Sequence, residues 1–471
     1  MAGTVRYASG LGRGVLTATV LGSGMALLDS TVVNVALRRI GETFGATLGE
    51  LQWVTNGYLL TLAALILVGG SLGDRYGRRR IFVVGVVWFA VASLACGFAP
   101  GPIALIVFRL LQGCGSALLT PGSLAIIQAV FAPADRARAI GAWAGLGSVA
   151  AAVGPFLGGW LVQFVSWRWV FWINLPIAAL TVWVTLRAVP ETADPAGARR
   201  FDLMGSGLGV VALGGITFAL IEMGNLDPIP VLVTGLIGVA AAVAFIVVER
   251  RTDQPMLPTE LFASRPFSAS NAMTLLVYGA LGAMTFFVVL QLQTVLGYGP
   301  LLAGVAMLPI TVVMILLARR GGSLASKIGP RLPMALGPLV CALGVAGLAR
   351  VGSGSSYWPD VFPGLLVFAF GLALLVAPLT ATVLAAAPDR LAGTASGVNN
   401  AVARTGSLLA VAALPAAVGL TGAAYNHPAE FSAGYTRAMW VCAVLLAVGG
   451  LLSWVFIPSR REALAPEVER A

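Results

Sequence analysis

The chain has 471 residues, of which 58% are hydrophobic and only 10% are charged, and its mean hydropathy is +0.92. A soluble domain usually has roughly 25% charged residues, so this composition excludes an ordinary soluble globular protein. It is typical of a chain that lies largely within a lipid bilayer.

Mostly apolar segments recur along the whole chain, and each is long enough to cross roughly 30 Å of hydrocarbon as a helix. The sequence predicts fourteen such helices, called segments one to fourteen in chain order. They span residues 15–37, 52–72, 81–98, 102–128, 139–164, 167–186, 203–224, 229–248, 267–293, 300–318, 333–350, 361–386, 394–420 and 437–457.

The basic residues are distributed unevenly among the connections. With the N-terminus placed in the cytoplasm, 22 of the 29 Lys and Arg residues lie in the tails or after even-numbered segments, and five lie in the other connections. This is the asymmetry of the positive-inside rule. It predicts a multi-pass protein of the cytoplasmic membrane with both termini inside, and it explains the net charge of +10 without a nucleic-acid partner.

Segment one carries a carboxylate, Asp29, in a run that is otherwise apolar or small from Val15 to Leu37. A charge at mid-bilayer costs at least about 2.5–3.5 kcal/mol on insertion scales, so it must be paired, hydrated or neutralised. Arg109 in segment four lies at a matching depth. We predict that both side chains face one cavity and that Asp29 takes up and releases a proton, with a fixed salt bridge as the alternative reading.

The connection between segments two and three reads GSLGDRYGRRR, residues 70–80. Its glycines predict a tight turn, Asp74 can accept hydrogen bonds at the positive end of a neighbouring helix, and the arginines can pair with it or with anionic lipid. Arginines alone would serve topology, so the other residues favour a latch that holds the cytoplasmic side closed. The predicted latch residues are Gly70, Gly73, Asp74, Arg75, Gly77, Arg78 and Arg79.

Segment five contains GAWAGLGSVAAAVGPFLGG at 141–159, with small residues at intervals of three and four and then a proline. Such a helix face lets two backbones approach closely, and the proline can kink the helix. The residues singled out by this pattern are Gly141, Gly145, Gly154, Pro155, Gly158 and Gly159.

Two long hydrophilic connections, 187–202 and 249–266, divide the segments into six, two and six. We predict an N-terminal six-helix bundle at 1–190, a linker with two additional helices at 191–265, a C-terminal six-helix bundle at 266–458 and a cytoplasmic tail at 459–471.

The two outer blocks also look related when one is shifted by 252 residues, which places GSLGDRYGRRR over GSLASKIGPRL at 322–332. Gly141 and Gly145 likewise lie over Gly393 and Gly397. Repeated six-helix halves are a transporter architecture with a substrate site near the midplane. Chance similarity of glycine-rich loops is the alternative.

Polar side chains in apolar segments are candidates for a substrate cavity. These candidates are Asn34, Asn56, Tyr58, Gln112, Asn174, Gln291, Asn400 and Arg404. Arg404 has no embedded acid in its half, so backbone carbonyls, a neighbouring asparagine or an anionic part of a substrate are its open alternatives.

These motifs resemble the major facilitator superfamily. The loop at 70–80 matches its motif G-x-L-a-D-r-x-G-r-r, and LIVFRLLQGCGSA around Arg109 matches the fourth-helix motif L-x3-R-x2-q-G, to which a proton-transfer role is attributed. LDSTVVNVAL at 28–37 and WRWVFWINLP at 167–176 are similar to motifs of its fourteen-helix drug:proton antiporter family. Residues 141–159 resemble that family's antiporter motif G-x8-G-x3-G-P-x2-G-G, with Ala150 in place of the second glycine.

The resemblance implies an all-α integral membrane protein with the major facilitator fold: two six-helix bundles plus two inserted helices. It also implies a proton-coupled antiporter that exports hydrophobic small molecules, which can be cationic, by alternating access in multidrug efflux. A dedicated exporter of an endogenous metabolite or antibiotic is the alternative.

Other classes fit the sequence less well. It lacks the nucleotide-binding pattern G-x4-G-K-[ST], so the proton gradient is the expected driver and no cofactor is expected. One His and four scattered Cys leave no metal site and argue against an enzyme. The expected partners are a small-molecule substrate, protons and the lipid bilayer, and the expected state is a monomer. A channel or receptor would show no proton-dependent exclusion of a dye.

Overall fold

The computed structural model describes residues 5–193, 202–252, 255–388, 391–422 and 427–459. Within these ranges the chain is almost entirely helical. The β-type pairing in these ranges consists of two isolated bridges, Val5 with Phe131 and Met223 with Leu226. The predicted all-α class is confirmed. Residues 194–201 of the predicted linker and 460–471 of the predicted tail lie outside the described residues.

The first six predicted segments and the inserted pair form nine helices in the described part of the chain, because segment six is divided in two. They are α1 (Gly10–Phe44), α2 (Leu48–Tyr76), α3 (Arg78–Gly97), α4 (Pro102–Val130), α5 (Pro133–Phe164), α6 (Trp169–Trp172), α7 (Asn174–Ala188), α8 (Leu203–Glu222) and α9 (Pro228–Arg251).

The remaining segments form a second series of helices, of which segment ten is divided at Met307. They are α10 (Arg265–Thr294), α11 (Pro300–Ala306), α12 (Leu308–Ile328), α13 (Arg331–Leu348), α14 (Phe362–Ala385), α15 (Ala392–Ala417) and α16 (Pro428–Phe456). A 3-10 turn at Thr259–Ala263 precedes α10, and a π turn at Tyr357–Val361 leads into α14.

Thirteen helical stretches in the described ranges are long and apolar enough to cross a membrane. The one predicted segment outside these thirteen stretches is segment thirteen, which forms α15, a helix of 26 residues. Its first half contains Thr394, Ser396, two asparagines and Arg404, and these polar residues lower its hydropathy. All fourteen predicted segments are therefore helical.

Helix ends extend beyond the apolar runs from which they were predicted. Helix α1 continues to Phe44, seven residues past the predicted boundary, and stops at Gly45, which has the left-handed φ of 62°. Arg38 and Arg39, placed in a loop by the sequence, each contact Glu42 at 3.0 Å within this helix. Backbone hydrogen bonding does not end where hydrophobicity ends, so it is the cap that sets the boundary.

The chain divides into two compact units. The first comprises Met1–Met256 with Gly299–Val305, and the second comprises Leu257–Tyr298 with Ala306–Ala471. The inserted pair α8 and α9 thus belongs to the first unit, where α8 packs on α2. The Trp53 indole Nε1 donates to Glu222 Oε1 at 2.8 Å, which joins the C-terminal end of α8 to α2.

The predicted repeat reappears as matching close contacts inside each unit. A Cβ added at Gly69 of α2 would fall on the carbonyl oxygen of Ala117, and one added at Gly321 of α12 would fall on that of Ala373. The two glycines are 252 residues apart, which is the shift that the sequence indicated. Equivalent helix pairs in the two units therefore meet backbone to backbone at equivalent glycines.

The turn after each of these helices repeats as well. Gly77 has a φ of 106° and Gly329 has a φ of 90°, and both end their helices. Only glycine adopts this region without strain, so these two positions require it. Gly73, in contrast, lies inside α2, so the expectation that it shares the tight turn is wrong.

We expect Gly69→Ala and Gly321→Ala each to destabilise the protein by about 1–3 kcal/mol, because the added methyl group meets a backbone carbonyl that cannot turn away. Gly209→Ala on α8 is the matched control, since its Cβ would meet nothing within 4 Å. That change should be neutral or stabilising by up to about 1 kcal/mol. Thermal unfolding of the purified variants measures all three, and equal losses at the three sites would contradict the close contact.

Candidate functional site

A buried ion pair joins α1 to α4. Arg109 Nη1 donates to Asp29 Oδ2 at 2.6 Å, and the two side chains are 1% and 0% exposed. The sequence placed these residues at one depth and left open whether they touch. The structure shows that they are in direct contact.

Two amides complete the shell of the carboxylate. Gln112 Nε2 donates to Asp29 Oδ1 at 2.9 Å, and Asn174 Nδ2 donates to the same oxygen at 3.1 Å. The same two nitrogens also donate to the hydroxyl oxygen of Ser93, at 2.6 and 3.2 Å. Helices α1, α3, α4 and α7 thus all contribute to one buried network, which we call the Asp29 shell: Asp29, Ser93, Arg109, Gln112 and Asn174.

Arg109 is held from several sides. Its Nε donates to the Val54 carbonyl oxygen at 3.0 Å, and its Nη1 also donates to Gln112 Oε1 at 2.6 Å. The guanidinium carbon lies 4.5 Å from the ring centroid of Tyr58 and 5.8 Å from that of Phe171. A backbone carbonyl, a side-chain amide and two aromatic rings therefore stabilise the positive charge together with the carboxylate.

Local sequence explains how these groups converge. Arg109 and Gln112 are three residues apart, so they lie on one face of α4. A Cβ at Gly113 would fall on Tyr58 and Thr61, which shows how closely α4 approaches α2. Asn174 is the first residue of α7, where the helix restarts after Ile173 with Pro176 in its first turn. The interruption of segment six brings Asn174 to Asp29.

Burial decides what this arrangement can do. Two opposite charges outside water are stable only as a hydrogen-bonded pair, and the loss of either charge leaves the other unpaired. Each of the three groups bonded to Asp29 is a donor, which suits an ionised carboxylate because that group only accepts. Any protonation of Asp29 must therefore reorganise this shell.

Three of the eight predicted cavity residues belong to the shell or touch it. Gln112 and Asn174 are fully buried and bonded to Asp29, and Tyr58 stacks on Arg109 while its hydroxyl lies 2.8 Å from Ser116 Oγ. Their predicted role in binding substrate stays a prediction. Asn56 is also fully buried, and its amide atoms have no hydrogen-bond partner among the described residues.

The other four cavity candidates are dispersed. Asn34 is half-buried and donates to the Ser30 carbonyl oxygen at 3.4 Å, and Asn400 is exposed. Gln291 is buried and donates to the carbonyl oxygen of Val351 and to Ser432. Arg404 is half-buried on α15.

The neighbours expected for Arg404 are engaged elsewhere or lie at the surface. The Asn399 amide donates to Asn271 and Thr274 of α10, and the Asn400 amide donates to the Ser396 carbonyl oxygen.

Sequence reasoning missed Ser93 and the neighbouring Cys96 of α3, whose thiol lies 3.7 Å from Gln112 Oε1. A single serine or cysteine in an apolar helix carries little signal, because both residues are common in helix packing. Only the three-dimensional proximity to Asp29 marks these two.

The predicted latch contains one of the expected pairs and an additional acid. Arg78 Nη2 lies 2.7 Å from Asp74 Oδ1, and this pair joins the end of α2 to the start of α3 across the turn at Gly77. The first backbone N–H groups of α3 are bonded by another carboxylate, since Glu191 accepts from Arg79 N at 3.0 Å and from Arg80 N at 3.2 Å. Asp74 was expected at such a helix end, but Glu191 occupies it, just beyond α7.

The glycines of segment five fall into two groups. Gly154 and Gly158 pack against α1, where added Cβ atoms would meet Thr31 and Val32, and Gly159 packs against Leu301. Gly141 and Gly145 have open space around them. Pro155 lies inside a continuous helix that runs from Pro133 to Phe164.

Comparison with known proteins agrees with this architecture. Residues 19–411 match the Major Facilitator Superfamily, and the chain belongs to that family. It is 37% identical to the multidrug resistance protein Stp of Mycobacterium tuberculosis (strain CDC 1551 / Oshkosh) over 405 residues, 85% of this chain and 74% of Stp. It is 35% identical to the tetracenomycin C resistance and export protein of Streptomyces glaucescens over 414 residues, with the same two coverages.

A solved structure of the peptide transporter POT in complex with sulfate superposes on 99% of this chain and 97% of its own chain, with a TM-score of 0.70 at 15% identity. This likeness shows the shared fold. The family and its structural neighbours are transporters that act on small molecules within a membrane, and this chain is accordingly a multi-pass membrane protein.

We expect Arg109→Gln to destabilise the protein by about 3–5 kcal/mol, because it leaves the buried Asp29 carboxylate without its counter-ion. Combining it with Asp29→Asn removes both charges and should recover much of the loss. A double-mutant cycle based on thermal unfolding gives the coupling. If the losses simply add, the two charges do not stabilise each other.

We expect Glu191→Ala to destabilise the first turn of α3 by about 0.5–2 kcal/mol, as for loss of a helix cap. Hydrogen–deuterium exchange of the peptide over 78–84 measures this. Glu42→Ala is the matched control, because that acid pairs only within α1. Unchanged exchange in Glu191→Ala would show that the cap does not hold this turn.

Proposed function

We propose that the chain is a proton-coupled secondary exporter of hydrophobic small molecules, driven by the proton gradient without a cofactor. The single observation that carries the proposal is a fully buried carboxylate in an apolar helix, paired with a fully buried arginine. A structural salt bridge could be replaced by apolar residues at little loss, whereas a proton carrier requires a titratable group. The names of the two relatives, a multidrug resistance protein and an export protein, support efflux.

In this mechanism a proton from outside neutralises Asp29 and so weakens its bond to Arg109. The guanidinium keeps the Val54 carbonyl, the Gln112 amide and the Tyr58 ring, so its charge stays compensated while α1 is released from α4. Release of the proton to the cytoplasm restores the pair. Proton binding and release thereby break and re-form one contact between α1 and α4, and in this way the proton gradient shifts the protein between two conformations.

The latch has a defined place in this scheme. The Asp74–Arg78 pair and the Glu191 cap join the cytoplasmic end of α2, the start of α3 and the segment after α7. We propose that these bonds hold that end of the first unit together in one state of alternating access. The close contacts of Gly154 and Gly158 with α1 allow α1 and α5 to move as one body.

The remaining parts of the proposal follow from charge and composition. The excess of Lys and Arg after even-numbered segments supports both termini in the cytoplasm. We further propose that the protein works as a monomer and that it catalyses transport without chemical conversion of its substrate.

A dedicated exporter of one metabolite or antibiotic is the second candidate. The tetracenomycin C relative, named for a single compound, favours it, and Stp, named for multidrug resistance, favours the broader range. A drug-susceptibility panel on cells that express the protein distinguishes them: protection against many unrelated compounds supports multidrug efflux, and protection against one supports the dedicated exporter.

We expect Asp29→Asn to abolish efflux against a concentration gradient, because the amide cannot carry a proton. Inverted membrane vesicles with an imposed pH gradient measure this as dye uptake with and without a protonophore. Asp227→Asn is the matched control, since Asp227 is an exposed acid before α9, and it should transport like the unchanged protein.

Two results would contradict the proposal. Undiminished gradient-driven uptake by Asp29→Asn would exclude Asp29 as the carrier. Dye movement that is insensitive to the protonophore in the unchanged protein would exclude proton coupling altogether and would favour a channel.

A further inference from the structure

The hydrogen bonds around Asp29 are matched to one protonation state. Arg109, Gln112 and Asn174 all present N–H groups to the carboxylate oxygens. A protonated carboxyl group has an O–H that must itself donate. In a site with no exposed surface, that proton needs an acceptor from the protein, since an unsatisfied buried donor is strongly unfavourable.

Few acceptors in the shell are available. Arginine has no acceptor. Gln112 Oε1 already accepts from Arg109 at 2.6 Å, and Ser93 Oγ already accepts from both amides. Asn174 Oδ1 differs from these, because it is buried and has no hydrogen-bond partner among the described residues.

The unpartnered oxygen lies on the same amide that donates to Asp29. A half-turn of the Asn174 amide about its last torsion exchanges Oδ1 and Nδ2, and this torsion is broad and roughly two-fold. After the exchange, Oδ1 accepts the proton carried by Asp29 Oδ1 and can also accept from the rotatable Ser93 hydroxyl. Nδ2 then takes the position where Oδ1 had no partner, so the amide gives up its two donated bonds for two accepted ones. The bond from Arg109 to Asp29 Oδ2 need not break for this exchange.

We attribute the exchange to Asn174 after considering the other charged and titratable groups around Asp29. Arg109 faces it from α4, the Cys96 thiol from α3, and the Tyr58 phenol lies beyond Arg109 on α2. The charged residues of α5 lie in its first two turns, that of α7 lies in its last turn, and α6 has none.

We propose that Asn174 is a positioning residue that follows the protonation of Asp29, donating its amide N–H to the carboxylate and presenting its amide oxygen to the carboxylic acid. The proton itself comes from outside and resides on Asp29 Oδ1, so no bond in the asparagine is made or broken. This inference rests on the proposed role of Asp29 as the proton carrier. It adds a structural consequence at α7: protonation of Asp29 on α1 changes the orientation of the first side chain of α7, the helix that leads into the linker.

The test is infrared difference spectroscopy between alkaline and acidic buffer, on the full-length protein in lipid bilayers. Acidification should produce the C=O band of a carboxylic acid, which is assigned to Asp29 by its loss in Asp29→Asn. In Asn174→Leu this band should move to higher wavenumber, because the acid loses its acceptor. Asn174→Ser should restore part of the shift, since a hydroxyl both donates and accepts.

Thr181→Val is the matched control. Thr181 is fully buried on the same helix and donates only to the Ile177 carbonyl oxygen, so the Asp29 band should stay in place. Gradient-driven efflux should fall about tenfold in Asn174→Leu, as expected for a buried hydroxyl proton without an acceptor. Efflux should be unchanged in the control.

A second measurement does not depend on whether the Asn174→Leu variant folds. Isotopic labelling of asparagine in the unchanged protein should reveal a side-chain amide band that changes over the same pH range as the Asp29 band and is absent from Asn174→Ser. No such band, or an Asp29 band that is unmoved in Asn174→Leu, would overturn the role of Asn174 while leaving Asp29 as carrier. Absence of any carboxylic acid band would instead overturn the proposed proton coupling.

Discussion

The buried contact between Asp29 and Arg109 is the interaction on which the first unit is organised. Two charges can remain in an apolar interior only if each is bonded from several directions. Besides the contact between the two charges, α2, α4 and α7 supply those bonds, and Ser93 of α3 accepts from the two amides that donate to Asp29. The helices must approach closely, because Asp29, Ser93 and Asn174 have short side chains. Glycines such as Gly113, which lets α4 meet the backbone of α2, provide that approach. The packing and the electrostatics of this unit therefore depend on each other.

The fold could be predicted because a chain inside the bilayer must bond its backbone polar groups internally, which apolar helices do, and all fourteen predicted segments are helical. The ends could not be placed: α1 runs on to Gly45, because a cap and not hydropathy stops it. The shared depth of Asp29 and Arg109 was predictable because embedded charges are rare, whereas their direct contact was left open. Ser93, Glu191 and the bond from Asn174 to Asp29 were not predicted, because the role of a common polar residue depends on neighbours that are far away in sequence.

The two units share a scaffold but differ in chemistry. Gly69 and Gly321 make the same backbone contact, and so do Gly85 and Gly337 in the next pair of helices. At the position 252 residues after Asp29 the second unit has Leu281, an apolar side chain. Both units thus have glycines at matching positions where helices touch, whereas the buried charged side chains of the described residues, Asp29, Arg109 and Glu249, all lie in the first unit.

The attachment of α8 to α2 has a consequence for how such a chain could gain or lose its extra helix pair. The Trp53 indole N–H points at Glu222, and Gly49 lies beside the Asn225 side chain, so this face of α2 is fitted to a polar neighbour. Excision of residues 202–252 would uncover that face and leave the indole N–H without its Glu222 acceptor. We therefore expect a chain that lacks the inserted pair to require a different residue in place of Trp53.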